Sequence, residues 1–425
     1  MLTYLRQIWH TADLRKRILI SLFLLFLYRV LAHMPIPGAD PFALRQFLGS
    51  RDAGGALGVF AALTGGAVDN FSIALLGLSP YINASIIIQL CTVIFPKLEA
   101  LSKEGVQGQQ QLNRYMRYMS VPLAFLQSYG FLLILSQGGV NIVDTTFPGV
   151  LFPMLFVTAG SLLIMWLGEL ITEKGVGNGI SLIIFAGIVA SIPSVVTTMF
   201  LAGGDKLGPF YLFALVSIGL LIAVVLFTDA HRALPLTYAN QGSGRGVQGT
   251  LPIRLNQAGM IPILFAISLL TFPTILAQFM VTSPRFESVA QFITLYMNPE
   301  SPSYVYIGLY FALVVAFTFF YVSVTYKPQD LAETIQKRGG FIPGVRPGPQ
   351  TAKVLEQTSL RLNLWGGLFL GGVAIVPLIF TKFSTLGSND LILSGSGLII
   401  IVGVVMELIR QVNAQMLAHD YEKLV

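Results

Sequence analysis

Residues 70–95, NFSIALLGLSPYINASIIIQLCTVIF, decide how the rest of the chain is read. The stretch is long and apolar enough to cross a bilayer, for which about 20 residues suffice. A span meeting lipid alone would gain nothing from Gly77, Ser79 and Pro80 near its start, or from Asn83, Ser85 and Gln89 within it. Unpaired polar groups in hydrocarbon cost several kcal/mol each. Leu78 and Ile82 are four apart and share one helix face, while Gln89 falls on another. The stretch predicts a helix with one face on a cavity and another against a neighbouring helix.

Composition places this helix in a membrane. The chain has 425 residues, 54% hydrophobic and 11% charged, where a soluble domain carries roughly 25% charged residues. No long polar block exists to hold a soluble domain. The single cysteine, Cys91, lies inside a span and rules out an internal disulfide. Apolar runs recur at 17–35, 73–95, 116–136, 151–171, 179–199, 210–229, 257–281, 304–326, 360–380 and 395–413, which predicts ten spans. Residues 2–16 alternate apolar and polar positions, as a short interfacial helix does. They show no small-residue cleavage site after an apolar core and are not read as a signal peptide.

Orientation follows from Lys and Arg. With the N-terminus in the cytosol, the outer segments hold only Arg45, Arg51, Lys206, Arg285 and Lys382, and Arg29 sits within the first span. The rest of the 26 Lys and Arg fall on the cytosolic side, so both termini are expected inside. The net charge of +6 is thus mostly a topology signal, although a basic docking face is compatible with it. Ten spans divide into two fives, residues 1–200 and 201–425. An odd number per half means that similar halves would be inverted, yet no convincing self-similarity joins them.

Three connecting segments stand out. The outer segment 36–72 is small and apolar, and glycines bracket residues 56–64 in a piece suited to folding back into the protein. Two cytosolic loops, 230–256 and 327–359, are long enough to carry function. The second reads as a rigid protrusion with a short helix over 329–338 and a Gly/Pro-punctuated turn around Arg346.

Motifs for chemistry are missing. Arg29 at depth needs a partner or snorkelling and is read as a structural pair. Gly175, Gly177 and Gly179 follow a helix, with no Lys-Ser/Thr after them, so they predict a tight helix–helix turn in which Asn178 caps the next helix. The GSGRG run at 242–246 is read as a flexible loop. His10, His33, His231 and His419 are scattered, and neither HExxH nor GxSxG occurs. Catalysis is unsupported, and no cofactor or metal is expected. Asn83, Gln89, Gln127, Ser268 and Asn363 read equally as interhelical hydrogen bonds, worth about 1 kcal/mol each, or as part of a movable seam.

Several motifs together resemble the SecY family, the pore subunits of the bacterial protein-conducting channel. They are PIPG at 35–38, TGG at 64–66, PYINASIIIQL at 80–90, KEG at 103–105, WLGELITEKGVGNGISLIIFAGIVA at 166–190, AGMIPILFA at 258–266 and GGFIPGVRPGPQTAK at 339–353. The resemblance runs from about residue 15 to the C-terminus. It implies an all-α membrane protein with ten helices in two inverted five-helix halves around an hourglass pore. Its constriction ring falls on Leu78, Ile82, Ile180, Ile184, Leu264 and Ile400. The family's plug matches about 56–70, with Ala56, Leu57, Val59, Phe60, Leu63, Thr64, Gly65 and Gly66. A lateral gate between spans 2–3 and 7–8 would have Gln89, Gln127 and Ser268 as its polar seam, holding it closed. Docking of cytosolic partners would use Arg346, with Arg245, Arg254, Lys337 and Arg338.

The resemblance further implies a multi-pass protein of the cytoplasmic membrane with no chemistry of its own. Its partners would be SecE, SecG, the SecA ATPase, the ribosome, signal peptides, nascent polypeptides and membrane lipid. Two departures concern docking. Gln109 and Gln110 stand where the family has paired arginines, and the 230–256 loop has only Arg232, Arg245 and Arg254. Ribosome affinity depends on charge against RNA phosphates, so a weaker or rearranged contact is expected. The rival reading is a secondary transporter for a small solute, also built on inverted halves, and it would want a charged midplane site. An intramembrane protease is a third, left weak by the missing motifs.

Overall fold

Each apolar run of the sequence carries a helix. The computed structural model describes residues 11–36, 71–137, 149–202, 207–238, 247–281, 286–297, 303–383 and 395–422. In order these form α1 (Ala12–His33), α2 (Ser79–Ile94), α3 (Pro96–Lys103), α4 (Val106–Gln137), α5 (Leu151–Lys174), α6 (Gly179–Ala202) and α7 (Leu207–Asp229). Then come strands β1 (His231–Tyr238) and β2 (Val247–Arg254), helices α8 (Ile261–Val281), α9 (Glu287–Tyr296), α10 (Tyr304–Thr325) and α11 (Pro328–Lys337), the short strand β3 (Gly340–Phe341), α12 (Pro349–Phe383) and α13 (Gly395–Glu422). Among the described residues, 4 stretches are long and apolar enough to cross a membrane, Leu151–Lys174, Tyr304–Lys337, Pro349–Phe380 and Gly397–Met416, or 5 if the bent pair Ser79–Ile94 and Pro96–Lys103 is one span. Large apolar side chains such as Phe23, Phe26, Phe152, Trp166, Leu215, Leu226 and Trp365 lie exposed on the helices. Apolar exposure on that scale fits a lipid surround. The plug expected at about 56–70 lies outside the described residues.

The decisive stretch differs from its expected form. A helix was expected over 73–95, but α2 begins at Ser79 and residues 71–78 are turns. The cause is local. Phe71 and Gly77 take φ of 42° and 52°, which no continuous right-handed helix admits. Pro80 then sits in the first turn of α2, where its missing N–H costs nothing. The irregular segment is sunk in protein: Phe71, Ser72, Ala74, Leu75 and Leu76 are all buried. Its backbone groups find partners. The Ile36 N–H donates to Phe71 O and the Ile73 N–H to Met34 O, each at 3.0 Å, and Ser161 Oγ donates to Gly77 O at 2.9 Å. Gly160 of α5 makes this approach possible, because a Cβ there would collide with the Ile73 carbonyl. Non-helical backbone at membrane depth survives only with such internal satisfaction. At its other end α2 stops at Phe95, extended before Pro96, and α3 leaves at a bend of 103°.

Helices up to Ala202 meet those after it along two seams. On one side α8 packs against α2 and α4; on the other α6 packs against α13 and α7. Within the first group α5 is central, packing against α1, α4 and α6; in the second α10 packs against α8 and α12. The glycine run is a tight turn between α5 and α6, as expected. Gly177 has φ of 85°, and Asn178 Oδ1 accepts from the Ile180 and Ser181 N–H groups at 3.1 and 3.3 Å. Ser21 of α1 closes the turn by accepting from the Val176 N–H at 3.0 Å.

The two long loops expected on the cytosolic side fold together. β1 and β2 form an antiparallel hairpin, and β3 adds to β1 in the order β2-β1-β3. Leu234, Leu236 and Ile253 of the hairpin pack with Ala332 and Ile335 of α11, Ile342, and Ala352, Leu355 and Leu362 of α12. Gly340 makes room for the Tyr238 ring, which a Cβ there would meet at 2.9 Å. The loops thus share one core and form a single platform.

Candidate functional site

The six ring positions come from four helices and lie in one hydrophobic cluster. Leu78, Ile184 and Ile400 are buried in it, and Ile82, Ile180 and Leu264 pack against it. Leu78 is the N-cap of α2, and the Ile82 N–H donates to its carbonyl at 3.0 Å, so the two are stacked one turn apart. The irregular segment 71–78 therefore determines where Leu78 stands. On α6 the positions are fixed by the turn before it. A Cβ on Gly177 would lie 2.8 Å from Leu408 Cδ2 of α13. Two turns up α6 from that contact stands Ile184, and two turns back along α13 stands Ile400. Ile180 lies a turn nearer the 175–179 bend, and its Cγ1 would be 3.3 Å from a Cβ on Gly168, so part of this side chain faces α5. The stripe on α6 continues to Ile188, which is buried in the same cluster and was not singled out from sequence. Its four-residue spacing from Ile184 was the available signal. Met260, one turn before Leu264, packs toward Gly403 of α13, where a Cβ would lie 3.8 Å from its own Cβ.

Chemically, aliphatic side chains from both sides of the molecule offer neither charge nor hydrogen bond. A narrow constriction of this kind resists ions and water by dewetting.

The seam beside the cluster brings together the helices of the three gate residues but does not pair the side chains at Gln127. Gln89 on α2 and Ser268 on α8 are half-buried, whereas Gln127 on α4 is buried with neither amide atom in a hydrogen bond. In this structure the Gln127 amide therefore makes no hydrogen bond across the seam. Away from the seam, Arg117 Nε on α4 donates to Glu169 Oε1 of α5 at 2.7 Å. Asn363 on α12 joins a short chain, donating to Ser359 Oγ at 3.5 Å, which in turn donates to Gln257 Oε1 at 2.8 Å.

The basic residues expected to dock partners split into two groups. Lys337 and Arg338 end α11 and are exposed, with Lys337 Nζ 3.4 Å from Glu333. Arg346 is exposed in a turn whose shape comes from Gly344 and Gly348, at φ of 82° and 98°. Its carbonyl accepts from Thr351 Oγ1 at 3.0 Å. Arg254 pairs in register with His231 at the root of the hairpin, whereas β3 joins at the Tyr238 end. Burial, and then the neighbouring Arg410, hold its pKa below the usual guanidinium value, against the pull of Glu407. Arg410 itself donates to Thr228 O at 3.0 Å. Arg254 is thus an exposed cation at the root of the hairpin, influenced by Arg410 and Glu407. Arg245 lies outside the described residues.

A family model for SecY matches residues 72–409. The chain belongs to the SecY family. Among curated SecY-family relatives it is similar to the protein translocase subunit SecY of Streptomyces galbus, 38% identical over 99% of each chain. That of Thermus thermophilus is 39% identical over 96% of this chain and 94% of its own. Among solved structures the fold resembles one described as the structure of a protein conducting channel, with TM-score 0.69 and 18% identity over 94% of this chain and 92% of the other. It also resembles Sec61 in the canine ribosome-channel complex from the endoplasmic reticulum, with TM-score 0.66 and 17% identity over 94% and 92%. SecY-family membership accounts for a mostly helical protein with several membrane-crossing helices, and for a long apolar cluster where two helix groups meet.

Proposed function

We propose that this protein is the pore subunit of a protein-translocation channel in the cytoplasmic membrane. It spans the bilayer ten times with both termini in the cytosol, and residues 1–200 and 201–425 form two inverted halves. It is a passive conduit for unfolded secretory polypeptides, which cross the membrane or leave sideways into lipid. SecA or the translating ribosome drives the chain through, and SecE and SecG complete the membrane complex. The observation carrying this reading is that six aliphatic side chains from α2, α6, α8 and α13 meet in one cluster between the two helix groups. Leu78, Ile82, Ile180, Ile184, Leu264 and Ile400 form the ring that a passing chain parts and that closes after it.

The gate lies where α8 packs on α2 and α4. An apolar signal segment favours its opening by replacing helix–helix contacts with its own side chains and lipid. The family's plug, expected at about 56–70, is part of the same proposal. Arg346, Lys337 and Arg338 present cations for a partner's carboxylates or phosphates, and Arg346 can form a two-pronged contact. The test is reconstitution. Vesicles holding this protein with SecE, supplied with SecA and ATP, should carry a secretory precursor into a protease-protected lumen. Protection equal to that in vesicles lacking the protein would overturn the proposal.

A further inference from the structure

We propose that α9 is a membrane-surface helix, seated in the headgroup–acyl boundary on the side where α8 ends and α10 begins. With 10 residues it is about 15 Å long and far too short to span. Its side chains sort by direction. Ala290 is fully buried against the protein, whereas Val289, Phe292 and Leu295 are 47%, 59% and 68% exposed. Phe286 at its N-cap is also exposed, and the Phe292 and Tyr296 rings lie 4.6 Å apart. At about 100° per residue, Val289, Phe292 and Tyr296 share one flank, and Gln291 falls on the other.

The helix is firmly held. It packs against α8, and its last turn is tied to α10, because Ser303 Oγ donates to Tyr296 O at 2.9 Å and accepts from the Tyr306 N–H at 3.0 Å. The exposed apolar flank is therefore a built surface. Its occupant is lipid, because the flank continues surfaces that face lipid. Tyr304 and Val305, at the start of α10 directly after Ser303, are likewise exposed. Aromatic rings at the end of a span belong to the interfacial belt, and an amphipathic helix there lies in the membrane plane. Since α9 rides on α8, the seat sets how deep the gate helix stands. That consequence rests on the channel reading; the location does not.

The test uses the full chain with Cys91→Ala, reconstituted in phosphatidylcholine–phosphatidylglycerol vesicles. Phe292→Cys and Gln291→Cys are each labelled with an environment-sensitive fluorophore. Lipids carry a nitroxide either near the headgroup or near the chain end, and iodide probes from water. Shallow nitroxide should quench the label at 292 about twofold more than at 291, and more than deep nitroxide does, with iodide showing the reverse order. Two results would overturn the proposal. One is equal iodide quenching at both positions without lipid quenching, which means a flank in water. The other is protection from both quenchers, which means a flank under protein. Val289→Cys gives the same reading if Phe292→Cys does not fold, and no arm requires transport.

Discussion

Gln127 shows what residue type leaves open. An amide in an apolar span suggests a hydrogen bond across a seam, yet here both of its polar atoms are buried without one. Leaving a buried polar group unpaired costs about 1–3 kcal/mol, so this conformation carries a penalty that opening toward water or a polar chain would relieve. Gln127→Leu should therefore raise the unfolding midpoint in detergent and slow transport of precursors with weakly apolar signals. A lower midpoint with faster transport would show that the amide holds the seam after all. The six proposed ring positions came from the family motif, and type alone read them as core; that they share one cluster agrees with either, while the Leu78/Ile82 and Ile180/Ile184 pairs are each four residues apart. What spacing could not supply was orientation: Ile180 turns partly to Gly168.

At the scale of elements, the helices were legible because each needs a long apolar run, and such runs have no other use in a chain this poor in charge. The hairpin was not. β1 and β2 each carry a central proline, Pro235 and Pro252, which reads as loop punctuation. The sheet tolerates them because β2 is an edge strand and β3 reaches only Thr237 and Tyr238, leaving Pro235 unopposed on that side. Helix α9 was hidden likewise in a segment read as outer loop. The start of α2 was placed too early because the apolar run was followed through Gly77, whose φ of 52° ends any helix there, up to Pro80 in the first turn.

The platform makes a separable prediction. Leu355 is fully buried in its core, and its truncation to Ala should cost about 2–5 kcal/mol. Leu355→Ala should lower partner-driven transport and loosen the platform to proteolysis, while resting ion conductance stays unchanged. Arg346→Glu should lower the same transport with the platform still protease-resistant. Normal transport in the Arg346 variant would remove that residue from docking.

At the scale of the whole molecule, two helix groups meet along two seams with the aliphatic cluster between them. An enclosed cluster in a soluble protein would only hold the fold together. In the channel proposed, the same cluster would part, and its contacts are dispersive, without a directional bond to break. Replacing both Ile82 and Ile184 with Gly should thin the ring and raise ion conductance of the resting channel in planar bilayers. Conductance equal to that of the unaltered protein would place the permeability barrier elsewhere.

The measurement closest to the central claim puts a photoreactive residue at Ile184 and stalls a secretory polypeptide partway through the reconstituted complex. The account predicts a crosslink from position 184 to the mature part of the stalled chain, and none from lipid-exposed Leu215. A chain protected in the lumen that crosslinks only to outward positions, and never to 184, would contradict it.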